Sequence, residues 1–453
     1  MNESSGDSFP SDLAEIVYSR LAQQSVNSPY LTKQVLTRIF QTMYFASLKT
    51  EESQSIRFHI TYLDPDNPDP NPPKVYSVDR WSAIKIQPPI DWSISGLSKV
   101  AEATDPRTSS LAVYSNANYD LFVWGVIDQG NSYHDYITHE TERPLRRPGL
   151  FTASIVGVGH LAVWIDSNRI AELRINRIFT DPLEVITNGP INALLRPGID
   201  RYIDKVRPQV PLDKTYYIQD SWLLAVNLAI YWLGSLRRIL LRVQNYGHGG
   251  ALLITPDTLF NGLDKKYSIN YPRLRIALET VALAHLNYLY AFDRISDQSS
   301  QGQLMPIGLH NEQTHAMHMI TSGTQELQNT IWFISLLTRV DGLVLMDPDL
   351  EVKGFGVFIN SRNNPPAIFE AVDAEATESQ LRPISLQQFG TRHQSMIRYC
   401  SEVPRSIGFV VSQDGDVRAI AKVYGRLVVW SNIDLQRNRF LPQMYMDYRD
   451  PLS

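Results

Sequence analysis

The chain has 453 residues, a net charge of −5 and a pI near 6.1, which excludes a surface built to grip long nucleic acid. Its 43% hydrophobic and 20% charged residues exclude global disorder. At the usual domain size the length predicts about two to four domains.

Taken in chain order, "MNESSGDSFPSDL" lacks the basic-then-apolar order of a signal peptide. Residues 11–48 carry apolar side chains at helical spacing, with Ser11 or Asp12 expected as the first cap. "RFHITYL" alternates as a strand does. Asp64–Pro73 is a Pro/Asp/Asn loop. Residues 75–185 read as mostly β, with hairpins turning at Asn116–Asn118 and Asp166–Asn168. No acid, base and nucleophile cluster occurs there, so this half reads as a small-molecule sensor module. Prolines between 186 and 215 place the domain boundary there.

From 216 the pattern changes to alternating helix and strand, the signature of an α/β domain. A helix is expected over 222–243; Asn227, Gly234, Ser235, Arg237 and Arg238 interrupt it short of the ~20 apolar residues a bilayer needs. "GGALLI" follows as a strand, then a helix at 272–292 and a polar loop, "DRISDQSSQGQ". The helix "TQELQNTIWFISLLTRV" runs into "DGLVLMDPDLEVKGFGVFI". "IGFVV" and "DVRAI" form a hairpin across an Asp–Gly turn, and "GRLVVW" adds a strand. The single cysteine, Cys400, allows no intrachain disulfide and no all-thiolate zinc site, which favours a reducing, cytoplasmic setting. Lying after Met396 and Ile397 on a helical pattern, it reads as a packed residue rather than a nucleophile.

Three segments could carry chemistry. Asp341–Gly342–Leu343 puts a carboxylate at a helix-to-strand junction, where it can hold a divalent cation or take a hydroxyl proton. Gly390–Thr391–Arg392–His393 opens a helix and offers backbone N–H groups, a hydroxyl and a guanidinium to a phosphate. Ser412–Gln413–Asp414 sits where a strand ends. Each also has a plain structural reading: an Asp–Gly turn, Thr391 as a helix cap, and a hairpin turn at Asp414–Gly415.

In order, Gly250–Ile254, Asp341–Leu343, Gly390–His393 and Val410–Asp414 resemble the motifs of the diadenylate cyclase nucleotide-binding domain, over residues 216–435. "FPSDLAEIVYSRL", "MYFASLKTEE" and the β-rich segment resemble the sensor proteins termed DACNV. The resemblance implies phosphate and nucleotide contacts from Gly342, Leu343, Gly390, Thr391, Arg392, His393, Gln394 and Ser412. It implies Mg or Mn held by Asp341 and Asp414. In an active member, Asp341 would be catalytic, and a face-to-face homodimer would condense two ATP into cyclic di-AMP.

The chain departs from that pattern at three places. Gln394 stands where the family has a second arginine, and a neutral amide does not replace a guanidinium on a triphosphate. Gln413–Asp414 replaces an acidic pair. Leu343 replaces an alanine. In addition, "NSRNNPPAIFEAVDAEATESQ" reads as an inserted loop. The losses weaken catalysis more than binding.

Two other clusters compete for attention. His310, His315 and His318, with Glu312, could hold zinc, though not at metalloprotease spacing. Tyr114, Tyr119, Phe122 and Trp124 could stack a base, but cross-strand packing is the simpler reading. The basic "RPLRRPG" reads as an ordinary loop.

The expected fold is thus α+β: an N-terminal sensor-like region (1–200), a cyclase-like α/β domain with a mixed sheet (216–435) and a tail (436–453). The expected function is a sensor of a nucleotide or cyclic dinucleotide, signalling to a separate effector, with no membrane partner. An active cyclase and a nucleotide-independent interaction protein are the alternatives.

Overall fold

The computed structural model describes residues 7–23, 28–51, 54–67, 81–131, 134–135, 138–139, 149–165, 168–207, 221–300, 307–361, 363–413 and 415–436. Asp414, the basic run at 143–147, Asp166 of one expected turn and the tail beyond 436 lie outside them. The chain forms two compact units, with main segments Met1–Pro182 and Leu183–Leu435. No helix among the described residues is long and apolar enough to cross a membrane.

The first unit opens with α1 (Pro10–Gln23) and α2 (Lys33–Ser47). α1 starts earlier than its expected cap. Pro10, with its preset φ and no N–H to satisfy, takes the first turn, and the Asp12 carboxylate accepts from the Phe9 N–H at 2.7 Å. α2 is capped by Thr32, whose hydroxyl accepts from Val35 N at 3.2 Å. β1 (Thr50–Glu51) and β2 (Gln54–Ser55) make a short ribbon, and α3 (Ile94–Ala101) packs on α2.

The main sheet of this unit holds β3 (His59–Tyr62), β4 (Ser82–Asp91), β5 (Ser109–Ser115), β6 (Leu121–Asp128), β7 (Thr152–Gly157), β8 (His160–Ile165), β9 (Asn168–Arg174) and β10 (Arg177–Thr180). Their order is β10-β9-β8-β7-β3-β5-β6-β4; only β3 and β5 run parallel. The expected hairpins are present. At the β5–β6 turn the Asn116 side-chain oxygen accepts from the amides of Asn118 and Asp120, both at 2.9 Å, the asparagine-turn chemistry that predicted it. α1 and α2 lay Leu13, Val17, Leu36, Ile39, Phe40 and Met43 against alternate strand positions such as Ile60, Ala153, Leu161, Val163 and Leu173. The intervening positions are polar yet buried: Thr61, Thr152, Ser154 and Glu172.

The second unit includes the segment expected as a linker: α4 (Gly189–Val206) folds with it. α5 (Ser221–Tyr246), α6 (Arg273–Ser300), α7 (Ile307–Leu337) and α8 (Thr391–Glu402) are its other helices. The expected loop after 292 is helical instead. Nothing in "DRISDQSS" breaks a helix, and pairing with α7 sustains it, as in the Arg294–Glu312 ion pair at 3.2 Å. The histidine-bearing segment lies within α7.

Nine strands form the sheet: β11 (Gly250–Ile254), β12 (Leu263–Tyr271), β13 (Leu343–Met346), β14 (Val352–Ile359), β15 (Ile368–Ala371), β16 (Leu381–Ile384), β17 (Ile407–Val411), β18 (Val417–Val423) and β19 (Arg426–Trp430). The order is β12-β14-β13-β11-β17-β18-β19-β15-β16, with β11–β13 and β15–β19 parallel and the rest antiparallel. The sheet is therefore mixed. The segment read as an inserted loop contributes β15, whose Ile368–Ala371 run pairs with β19 and extends the sheet.

Alternation along the central strands builds two cores. Leu252, Ile254, Val344, Met346, Phe409 and Trp430 face α4 to α7, while Ala251, Leu253, Leu345, Val410, Ile420 and Val429 face α8. α8 meets the sheet through Met396, Ile397, Tyr399, Cys400 and Val403. Gly408 is what lets it sit so low: a Cβ there would come within 2.2 Å of Met396 Cγ. Gly408→Ala is expected to destabilise the second unit by about 1–3 kcal/mol. Adding Met396→Ala should recover part of that loss, so a urea double-mutant cycle should give a cost below the sum of the single changes. An additive result would mean that Met396 does not set the height of α8.

Candidate functional site

Strand register brings the motifs together. Leu252 of β11 lies between Val344 of parallel β13 and Phe409 of antiparallel β17, and Gly250 pairs with Val411. The start of β11, the start of β13 and the end of β17 therefore share one end of the sheet. Gly249–Gly250, Asp341–Gly342 and Ser412–Gln413 all lie there.

The first turn of α8 joins them. A Cβ on Gly249 would lie 3.2 Å from Arg392 Nη1, 3.4 Å from Gln413 N and 2.9 Å from the Val411 carbonyl oxygen. Gly249 also has φ +66, so glycine is needed there twice over. Gly342 is equally constrained: φ is +111, and a Cβ would stand 2.6 Å from the Gly356 carbonyl carbon. Asp341 is exposed at this junction, and Leu343 turns its side chain into the core beneath α8, leaving only its backbone at the strand's start.

Thr391 does not cap α8. Gly390 occupies the cap position, φ −67 and ψ 164, with no side-chain bond to the first-turn amides. Thr391 is the first helical residue and is exposed. The side chains of Asp341, Thr391 and Arg392 form no hydrogen bond or ion pair with a described residue. Gln394 is different. Its amide donates to the Phe389 carbonyl at 2.6 Å, and its oxygen accepts from Arg398 Nη2 at 3.4 Å. It braces the turn into α8.

His393 stacks on Phe389, with ring centres 5.8 Å apart, and its Nε2 accepts from Arg418 Nη1 at 3.3 Å. Arg418 also lies over the Phe389 ring at 5.5 Å, and its Nε is 2.8 Å from the buried carboxylate of Asp416. The Ser412 amide donates to the Asp416 carbonyl at 2.8 Å, which closes the hairpin beside the site. Sequence reading missed Gly249, Asp416 and Arg418. A signal existed in "DVRAI", where Arg418 takes the strand face that Ile420 devotes to the core.

The competing clusters settle into structure. Cys400 is fully buried, and burial pushes its thiol up to about 12, so it is no nucleophile at neutral pH. Trp124 donates its indole N–H to the Leu63 carbonyl at 2.8 Å, and Tyr114 packs against Tyr30, Tyr62 and Phe122. His318 lines a shallow cleft of about 410 Å³ beside Tyr288 and Met317. Among the described residues no group of three or more His, Cys, Asp or Glu is placed to hold a metal ion.

No curated protein and no solved structure matches the chain. Residues 26–128, from before α2 to the end of β6, match a family model described as probable sensor domain DACNV, and the first unit therefore contains a probable sensor domain of that kind.

Proposed function

We propose that the chain is a sensor whose second unit binds a nucleotide or cyclic dinucleotide at the sheet end where Gly249, Asp341, Arg392 and Ser412 meet. The observation that carries this is the convergence at Gly249, where the Arg392 guanidinium and the Gln413 amide close on a bare backbone. A guanidinium, open first-turn amides and exposed Thr391 together suit phosphate oxygens. Asp341 is the group for a ribose hydroxyl or for Mg or Mn. Phosphate oxygens of the ligand would share the shell of that ion. The changed positions disfavour turnover: Gln394 is neutral and bonded to its own helix, and Gln413 brings no charge. Signal output then falls to a separate effector chain.

The rival is an active cyclase formed by two opposed copies. Incubating the protein with ATP and Mg²⁺ or Mn²⁺, followed by mass spectrometry, separates the two. The expected result is unchanged ATP, together with a raised melting temperature in at least one nucleotide, because a ligand that binds only the folded form must stabilise it. Cyclic di-AMP that accumulates, and is lost in Asp341→Asn, would make the protein an enzyme. No stabilisation by any nucleotide would leave the second unit as an interaction module.

A further inference from the structure

Arg418 belongs to none of the motifs that point to the ligand, yet it reaches the same turn of α8. It rises from β18, where it pairs with Val410, on the face that carries Ile420 and supports α8. Its guanidinium is fixed on three sides: Nε at the Asp416 carboxylate, Nη1 at His393 and its flat face over Phe389. Asp416 is itself held, because its other oxygen accepts from the Asn432 amide at 3.1 Å. Nη2 has no hydrogen-bond partner among the described residues, and a quarter of the side chain is exposed. A guanidinium spreads its nitrogens over a planar fork, so it can lie against Asp416 and His393 through two of them and still present the third.

Arg392 and His393 are neighbours in the first turn of α8, and Arg418 backs the second of them. The turn is thus flanked by two guanidinia, one reaching Gly249 from the helix and one coming up from the sheet. Resting on the nucleotide-binding reading above, we infer that Arg418 is the second phosphate-gripping residue of this site. The site would then select ligands with two or more phosphoryl groups over monophosphates. Arg392 would hold one phosphoryl group and Arg418, steadied by Asp416 and His393, the next. A charge-assisted bond of this kind is worth about tenfold or more in affinity.

The test is calorimetric titration of the full chain with ATP, cyclic di-AMP, inorganic pyrophosphate and AMP. The wild-type protein is expected to bind at least one of the first three about tenfold more tightly than AMP. Arg418→Gln should abolish that preference while changing AMP affinity little. A preference that survives in Arg418→Gln overturns the inference and leaves the nucleotide reading intact, as does equal loss for all four ligands. Failure of the wild-type protein to bind any of the four would instead sink the nucleotide reading itself. Should Arg418→Gln not fold, Arg418→Lys is read in its place. A lysine ammonium gathers its donors at one nitrogen and lacks the span of the planar fork, so the preference should fall, and an unchanged preference counts against the inference.

Discussion

Under the proposed nucleotide-binding function, Arg392→Ala is expected to raise Kd about tenfold to a hundredfold for whichever nucleotide binds the wild-type protein. The expectation rests on what the side chain does not do. Arg392 is exposed and forms no hydrogen bond or ion pair with a described residue, so its removal breaks no such contact among them. Exposed substitutions of this sort change stability by about 0.5 kcal/mol or less. Melting of the ligand-free variant should therefore match that of the wild-type protein, while the ligand-induced rise in melting temperature should collapse. Unchanged binding in Arg392→Ala would show that the ligand, if any, sits elsewhere.

Glu172→Gln is expected to destabilise the first unit by about 3–5 kcal/mol, the usual cost of breaking a buried ionic cluster by removing one partner. Glu172 is buried on β9. It accepts from Arg169 at 2.9 Å and Arg174 at 2.8 Å on one oxygen and meets His160 with the other. Burial alone would raise its carboxyl. Arg169, His160 and Arg174 outweigh that and hold it well below the usual carboxylate range. A depressed carboxyl stabilises the fold above its unfolded pKa, about 4.3, and the contribution disappears as pH falls through the folded value. The gap between wild-type and variant melting temperatures, followed by calorimetry, should be full at neutral pH and should shrink only below that range. A gap independent of pH would mean that Glu172 acts by shape rather than by charge.

How legible was this protein in its sequence? The hairpins were, because β-branched and aromatic runs broken by Asn or Asp–Gly have few other folded forms. So was the layering of the second unit, since strands such as "GALLI" and "IGFVV" are apolar on both faces and must be covered twice. The failures share a cause. α6 runs on through "DRISDQSS" and β15 forms within a polar, proline-bearing segment because a partner across the fold stabilises each, and local composition does not reveal partners. The candidate site behaved likewise. Its motif residues could be listed, but that Gln394 would turn inward and Arg418 outward depended on strand register and on the seat of α8. The plain reading of Thr391 as a cap is off by one position, since Gly390 takes the cap and Thr391 the first turn.

The parallel pairing of β11 with β13 has a kinetic consequence. The strands are neighbours, yet the whole α6–α7 hairpin separates them along the chain. Loop-closure entropy must be met before such a pair returns any energy, so contacts of this range form slowly and late in folding. Gly249, Asp341 and Gln413 are brought together by that pairing and by β17 beside it, and Arg392 by the seat of α8 on the same sheet. A nascent or partly unfolded chain can hold its helices and hairpins and still lack the assembled candidate site, so capture of the proposed ligand would report on completed folding of this unit rather than on the presence of its parts.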